Sequence, residues 1–349
     1  MALEEAPPFW WKAPGPLAWL LSPLAAIWGY AAARRMASTP RVAVDVPVLC
    51  IGNLIVGGAG KTPTAIAIAK AVRRKGLVPG FLSRGYGGRM TTPTVVDPAR
   101  HRAGDTGDEP LLLAREAVTV VSANRGAGAN LLAASGCNFV IMDDGFQNPG
   151  LAKDFSLVVV DAKRGIGNGW TMPSGPLRAP LREQLALANA VLVIGDAPGA
   201  DRIIRETARR GKPLYIARTV VKDRSKWKGM LCIAFAGIAD PGKLFDSLIS
   251  VGASLLSARP FPDHHVYSED EARDIIDYAA ATKAVPVTTA KDMVRLNGGR
   301  GAVGELAQIT RVLEIEMAFE DARTPDIVIE ATLRNADARR LRRSVRAKG

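Results

Sequence analysis

The chain has 349 residues, 48% of them apolar, and carries a formal charge of +12; that length suits two folded units rather than one. Its three cysteines, Cys50, Cys137 and Cys232, are scattered through apolar runs, which excludes a disulfide framework or a cysteine metal site and suits a reducing cytosol. No zinc pattern, RNP-type motif or basic–aromatic interleaving accompanies the charge, so no nucleic-acid partner is expected.

The first forty residues differ from the rest. Residues 16–33 contain no charge, four of the six tryptophans (Trp10, Trp11, Trp19 and Trp28) lie in this region, and Arg34 and Arg35 close it. Tryptophan favours the water–lipid boundary, and arginine reaches phosphate head groups from there. A spanning helix needs about 20 apolar residues, so the run is borderline, and Pro23 and Gly29 weaken it. A signal peptide would begin with positive charge, whereas Glu4 and Glu5 stand there. The pattern predicts a helix lying in the interface, or a helical hairpin broken near Pro23. A helix packed on the protein for purely structural reasons is the competing reading.

A strand-like run at 42–50 then leads through a glycine-rich loop into a helix at 63–72, with Pro63 near its start, where proline is tolerated. Short apolar strands follow at 80–83, 118–121, 139–142, 157–160 and 190–194, with a helix from Asp108 to Ala117 and a Gly/Ala/Asn-rich segment before Leu132. Strands alternating with helices imply an α/β fold with a parallel sheet covered on both faces. In such sheets the ligand lies off the carboxyl ends of the strands, where the polar motifs of this chain fall. A basic, polar linker is expected at 222–228, then a second α/β unit with strands at 231–236, 285–289 and 312–319 and a helix at 243–251. From residue 334 to the end, seven basic residues face one acidic residue, Asp337, which reads as a basic tail, either solvated or near anionic lipid.

The glycine-rich loop is Gly57-Gly58-Ala59-Gly60-Lys61-Thr62. Backbone N–H groups in such a P-loop converge on phosphate oxygens, and the next helix adds its positive end. Lys61 would reach the β and γ phosphates of ATP, and the Thr62 hydroxyl would hold Mg²⁺. The usual pattern places a glycine five residues before Gly60, where this chain has Ile55, so Gly57 and Gly58 are expected to supply the flexibility. Asp143 and Asp144 end an apolar strand, as a carboxylate of the Mg²⁺ shell does. Adjacent carboxylates there repel unless a cation compensates; a plain turn at Asp144-Gly145 is the alternative.

A phosphotransferase must also orient a hydroxyl and accept its proton. Only three histidines exist, and two, His264 and His265, lie in the loop FPDHHVY beside Asp263. A carboxylate next to histidine raises its basicity and fixes its tautomer. Asp108 in GDEP is the other candidate base. Both segments also read as helix caps, and no third and fourth ligand supports zinc.

Together these motifs resemble the tetraacyldisaccharide 4'-kinase (lipid A 4'-kinase) family over nearly the whole chain. The resemblance rests on GNLIVGGAGKTPT (52–64), SRGYGG (83–88), GDEP (107–110), DDGFQ (143–147), VVDAKRGIGNG (159–169), PSGPLR (173–178), AGIADP (236–241), FPDHHVY (261–267) and TTAKD (288–292). It implies a P-loop NTPase-like parallel-sheet domain, a second, smaller α/β domain and an N-terminal membrane-associated helix. The corresponding boundaries are 1–40, 41–222, 223–335 and a basic tail at 336–349. It implies ATP- and Mg²⁺-dependent phosphorylation of the 4'-hydroxyl of an anionic glycolipid, tetraacyldisaccharide 1-phosphate, at the cytoplasmic face of the inner membrane. Carried over by position, Lys61 and the loop serve phosphate, and Thr62, Asp143 and Asp144 the metal. Asp108 acts as base with His264 as partner and His265 left open; Asn53, Arg84, Gln147, Arg178 and His265 fall where substrate is bound. Three residues depart from the family pattern: Asn148 for histidine, Ala179 for glutamate and Ala290 for glutamate. The rival reading is a membrane-associated P-loop ATPase switch without a lipid acceptor, whose loop has a lysine where this chain has Val56.

Overall fold

The structure, a computed structural model, describes residues 6–38 and 41–348. Glu4 and Glu5 lie outside them, as do the side chains of Arg346 and Lys348. The described strands are β1 (Val48–Gly52), β2 (Pro79–Ser83), β3 (Thr94–Val95), β4 (Thr119–Val121), β5 (Phe139–Asp143), β6 (Phe155–Asp161), β7 (Ala190–Ile194) and β8 (Leu214–Val221), followed by β9 (Leu231–Ala236), β10 (Ser254–Pro260), β11 (Val285–Thr288), β12 (Arg311–Val312) and β13 (Ile315–Phe319). Among the described residues they form a nine-stranded sheet in the order β13-β8-β7-β6-β1-β5-β2-β4-β3 and a four-stranded sheet in the order β10-β9-β11-β12.

The central strands of the larger sheet are parallel and buried on both faces, so they read as unbroken apolar runs. Alternate side chains serve two cores. Cys50, Met142, Val158 and Val191 point to one face, and Ile51, Ile141, Leu157 and Leu192 to the other. The smaller sheet has a separate core built around Cys232, Ala234, Leu244, Leu248 and Val287.

Long-range contacts correct two expectations and give structure to a segment that the sequence left unassigned. The predicted strand at 312–319 is two strands: β12 ends the smaller sheet, and β13 returns to pair antiparallel with β8 in the larger one. Buried Leu313 sits at the crossing, its N–H donating to Thr288. The Gly/Ala/Asn-rich segment contains the helix Arg125–Ala134, capped by the Asn124 side chain at Ala127 N (3.1 Å). Its glycines permit close packing, since a Cβ on Gly128 would lie 2.6 Å from Leu82 Cδ1. The segment expected as a basic tail belongs to the carboxy-terminal helix Thr324–Lys348, which buries Val328, Ile329 and Ala336. There Arg339 forks onto Asp154 (2.7 and 3.0 Å) and donates to Val44 O (2.6 Å), tying the helix beneath β1 and β6.

The amino-terminal helix, Pro16–Ser38, runs unbroken through Pro23 rather than forming a hairpin. It is amphipathic in size rather than polarity. Ala18, Ala25, Gly29 and Met36 face the protein, where Gly29 meets Pro180 and Thr171. Leu17, Leu20, Leu24 and Ile27, at helical spacing, face outward and are at least half exposed. Thr171 Oγ1 donates to Ala25 O (2.8 Å), and Trp28 Nε1 donates to Arg178 O (3.3 Å). The 22 residues Pro16–Ala37 have the length and composition to cross a membrane.

Candidate active site

A cleft of about 2060 Å³ lies between the carboxyl ends of β1, β5 and β6 and the segments that leave the smaller sheet. The phosphate loop forms its floor, directly between β1 and the helix Lys61–Arg74. Gly57 and Gly60 take left-handed conformations (φ 103° and 83°), which L side chains resist. A Cβ on Gly60 would also lie 2.5 Å from Ile194 Cδ1.

Ile55 does not loosen the loop. It bridges Leu177, Val56 N donates to Pro176 O (2.9 Å), and Arg178 N donates to Leu54 O (2.9 Å). The start of the loop is therefore an extended segment fastened to PSGPLR, which requires no glycine. Asn53 is fully buried, and its Nδ2 donates to Gly57 O (2.9 Å). It shapes the loop from below, away from the position expected of a substrate contact.

Lys61 Nζ lies 3.6 Å from Asp144 Oδ2. Burial pulls the Lys61 pKa down, against the charge of Asp144. Arg178 donates from both terminal nitrogens to the two oxygens of Asp144 (3.0 and 3.2 Å) and from Nε to Ile55 O. Burial opposes the charge of Asp144, but Lys61 and Arg178 outweigh it and hold the carboxyl down at about 2. Asp144 also takes a left-handed φ of 50°, a conformation that non-glycine residues adopt at a cost. Asp143 is different. It is 3% exposed, and its Oδ1 meets no donor. Burial pushes its pKa up to about 7, against the pull of Lys61.

A second cluster faces this loop across the cleft. Asp108 begins the helix Asp108–Ala114, after Gly107 (φ 88°), where a Cβ would lie 2.4 Å from Tyr86 O. Gly88 of SRGYGG meets the same stretch, its Cβ position lying 2.6 Å from Asp105 O, so the two backbones touch, while exposed Arg84 lines the cleft. Asp108 Oδ2 lies 3.2 Å from His264 Nδ1 and accepts from Arg295 Nε (3.0 Å), and Asp108 Oδ1 accepts from Glu109 N (3.0 Å). Burial favours a neutral Asp108, but the bonds from His264 and Glu109 and the charges of Arg295 and Lys291 outweigh it and hold the group well below the usual carboxylate range. The hydrogen bond to Asp108 raises the His264 pKa, against its partial burial. His264 has φ 62° and remains about one-third exposed in the cleft.

The geometry separates the two histidines. His265 Nε2 bonds Glu271 (2.9 Å), and its ring stacks on Phe261 (4.8 Å) and meets Tyr267 edge-on. It anchors the loop instead of lining the cleft, unlike the substrate contact expected from its motif. Gln147 does line the cleft and donates to Asn53 O (2.7 Å) and Gln184 Oε1 (2.9 Å). Asn148 turns its oxygen to Gly150 N (2.8 Å), and Ala179 is fully buried, so neither faces the cleft; Ala290 does.

Four contributors escaped the sequence reading. Lys291 Nζ contacts Glu109 Oε1 at 2.5 Å. Arg295 lies one helical turn further on. Asp161 pairs with Lys243 across the cleft. Trp28, Ala31, Ala32, Arg35 and Met36 of the amino-terminal helix form part of the wall. Asp108, Glu109 and His264 lie close enough to share a metal, but Lys291 and Arg295 already neutralise the two carboxylates.

A family model described as LpxK, tetraacyldisaccharide-1-P 4'-kinase, matches residues 17–333. A tetraacyldisaccharide 4'-kinase of Rhizobium meliloti (strain 1021) is 54% identical over 340 residues, covering 97% of this chain and 98% of that protein. One from Agrobacterium fabrum (strain C58 / ATCC 33970) is 49% identical over 345 residues, 99% of each. Among solved structures, LpxK from Aquifex aeolicus, crystallised in complex with ATP, is similar at a TM-score of 0.70 and 24% identity over 90% of this chain and 99% of that one.

Proposed function

The chain belongs to the tetraacyldisaccharide-1-P 4'-kinase family, and from that premise we propose how its cleft carries out the reaction. The protein is a kinase of lipid A biosynthesis; it phosphorylates the 4'-hydroxyl of tetraacyldisaccharide 1-phosphate from ATP. The observation that carries the assignment of roles is the opposition of two clusters across one cleft, the Asp108–His264 pair facing the loop that holds Lys61.

In this reading Gly57 to Thr62 cradle the phosphates with backbone N–H groups, and Lys61 sits on the charge that builds up during transfer. Asp143, Asp144 and Thr62 would hold Mg²⁺, and the donorless, buried Asp143 Oδ1 fits a cation. The ion would neutralise charge on the β and γ phosphates. The hydroxyl oxygen attacks the γ phosphorus, the bond to the β-bridging oxygen breaks, ADP leaves, and the hydroxyl proton passes to His264. Asp108 is the holder rather than the base. Both its oxygens are engaged and its basicity is low, whereas His264 is raised and reaches open space. Asp108 fixes the imidazole tautomer and stabilises the imidazolium.

The amino-terminal helix supports a membrane-bound mode of action at the cytoplasmic face of the inner membrane, where ATP is available. Its outward stripe is apolar, and its other side forms part of the cleft wall, so a lipid held in the bilayer surface could present its head group without leaving it.

The test is turnover of ATP, Mg²⁺ and the monophosphorylated disaccharide in detergent micelles. Lys61→Ala should lower kcat by about 10² to 10³-fold, as loss of a preorganised charge partner does. Lipid phosphorylation by wild type at the level of this variant would refute the reading, and ATP hydrolysis without it would favour the ATPase switch.

A further inference from the structure

The helix Ala290–Leu296 rises from the smaller sheet, yet its side chains reach the helix Asp108–Ala114 of the larger one. Val294 and Ala290 pack against Leu111 and Leu112. Beside this apolar seat, Lys291 meets Glu109 (2.5 Å), and Arg295 meets Asp108 through Nε (3.0 Å) and Nη2. Arg295 is 5% exposed and Asp108 3%. A planar guanidinium fixed at both edges is a rigid clamp.

The clamp is itself held. Arg295 Nη1 donates to Gly237 O and to Asp292 Oδ1 (2.9 Å). Asp292 is fully buried and further accepts from Gly237 N (2.9 Å), Tyr267 Oη (2.9 Å) and Thr289 Oγ1 (2.6 Å). Gly237 O also accepts from His264 N (3.1 Å). One oxygen, Gly237 O, therefore ties Arg295 to the backbone of His264. The guanidinium and the imidazole approach the same Asp108 oxygen from a common scaffold.

We propose that Arg295 is a positioning residue for proton transfer: it fixes Asp108 from the opposite side of the cleft and limits how strongly Asp108 holds the proton on His264. This rests on the reading of Asp108 and His264 as the proton-accepting pair. Unshielded, a buried carboxylate beside histidine over-stabilises the imidazolium and keeps the base protonated. Arg295 shares that carboxylate, so the imidazole is aimed without being locked in its charged form. The other charged or titratable groups around the pair are Asp263, Glu109, Lys291 and the Tyr86 ring. Of these, only Lys291 is cationic, and it is engaged by Glu109.

The experiment is the pH profile of lipid phosphorylation in Arg295→Gln and Arg295→Lys, each also combined with Asp108→Asn. Arg295→Gln should lower kcat by about 10 to 100-fold, within the range caused by misplacing a catalytic group, with little change in KM for ATP. The acid limb of kcat/KM should move to higher pH, because the unshielded Asp108 charge then favours imidazolium. Arg295→Lys keeps the charge and should leave the limb near its wild-type position while losing part of the rate. In Asp108→Asn, adding Arg295→Gln should cost little more. An unmoved acid limb in Arg295→Gln, or the same fold-loss with Asp108 present and absent, overturns the proposal. If Arg295→Gln does not fold, the Lys variant decides: an acid limb displaced upward despite its charge, or a wild-type rate, overturns it. Failure of the wild-type protein to phosphorylate the lipid is a different result and strikes the underlying reading instead.

Discussion

His264 and His265 are neighbours with opposite fates. A left-handed φ of 62° at His264 turns its ring onto Asp108, while His265 is captured by Phe261, Tyr267 and Glu271. His264→Ala should lower kcat by at least about 10²-fold, the lower end for an acid–base residue. His265→Ala should chiefly lower thermal stability, with kcat much less affected; the reverse ranking in turnover assays would reassign the base. The pH dependence has a defined sign. The bond from Asp108 raises the His264 pKa above the ordinary 6.5. A base must be neutral, so activity falls as pH drops through that raised value. Asp108→Asn removes the carboxylate and should move the acid limb of kcat/KM to lower pH while reducing the rate. At this scale the sequence was legible in kind. Lys61, Thr62, Asp143, Asp144 and His264, singled out by their motifs, all line one cleft. Asn53 and His265 do not line the cleft, because a motif marks a residue without saying which way its side chain turns. Arg295 escaped because its only signal was a position one turn beyond TTAKD.

At the scale of elements, the amino-terminal helix inverts the usual arrangement: small side chains meet the protein and large apolar ones meet the outside. Burying each outward leucine or isoleucine in lipid contributes about 1.5–3 kcal/mol. Combined Leu20→Ser, Leu24→Ser and Ile27→Ser should therefore abolish most sedimentation with anionic vesicles while leaving the folded core, and micellar turnover, largely intact. Equal sedimentation of variant and parent would remove this stripe as the membrane contact. The sequence marked this helix by its tryptophans and its uncharged run, but not its continuity. Pro23 lost its breaking effect because the helix is held along its length by Thr171, Trp170 and Arg178. The helix Arg125–Ala134, in a segment that composition alone left unassigned, uses its glycines for close packing against Leu82 and Ser122.

At the scale of the molecule, the carboxy-terminal helix completes the larger core after the chain has left it to build the smaller sheet. Asp154 is 2% exposed in its side chain and has Arg339 as its charged partner. Arg339→Ala leaves a buried carboxylate unpaired and should cost about 3–5 kcal/mol in denaturant unfolding; a loss below about 1 kcal/mol, as for a surface pair, would show that the helix is not locked there. β8 and β13 carry the chain out and back, so the two halves of the cleft are joined by paired strands as well as by the ion pairs above it. What the sequence determined by itself was the parallel α/β character, the glycine-rich loop between strand and helix, and part of the residue set that lines the cleft. These depend on local periodicity and on short motifs whose backbone conformation is set by neighbours in the chain. What only the tertiary structure decided was the pairing of β13 with β8, the docking of the basic tail as a largely exposed helix through Ala336 and Arg339, the turning of His264 rather than His265 onto Asp108 and the reach of Arg295 to Asp108. Each is a contact between residues far apart in the chain, and its free energy depends on burial and partners that no local pattern contains.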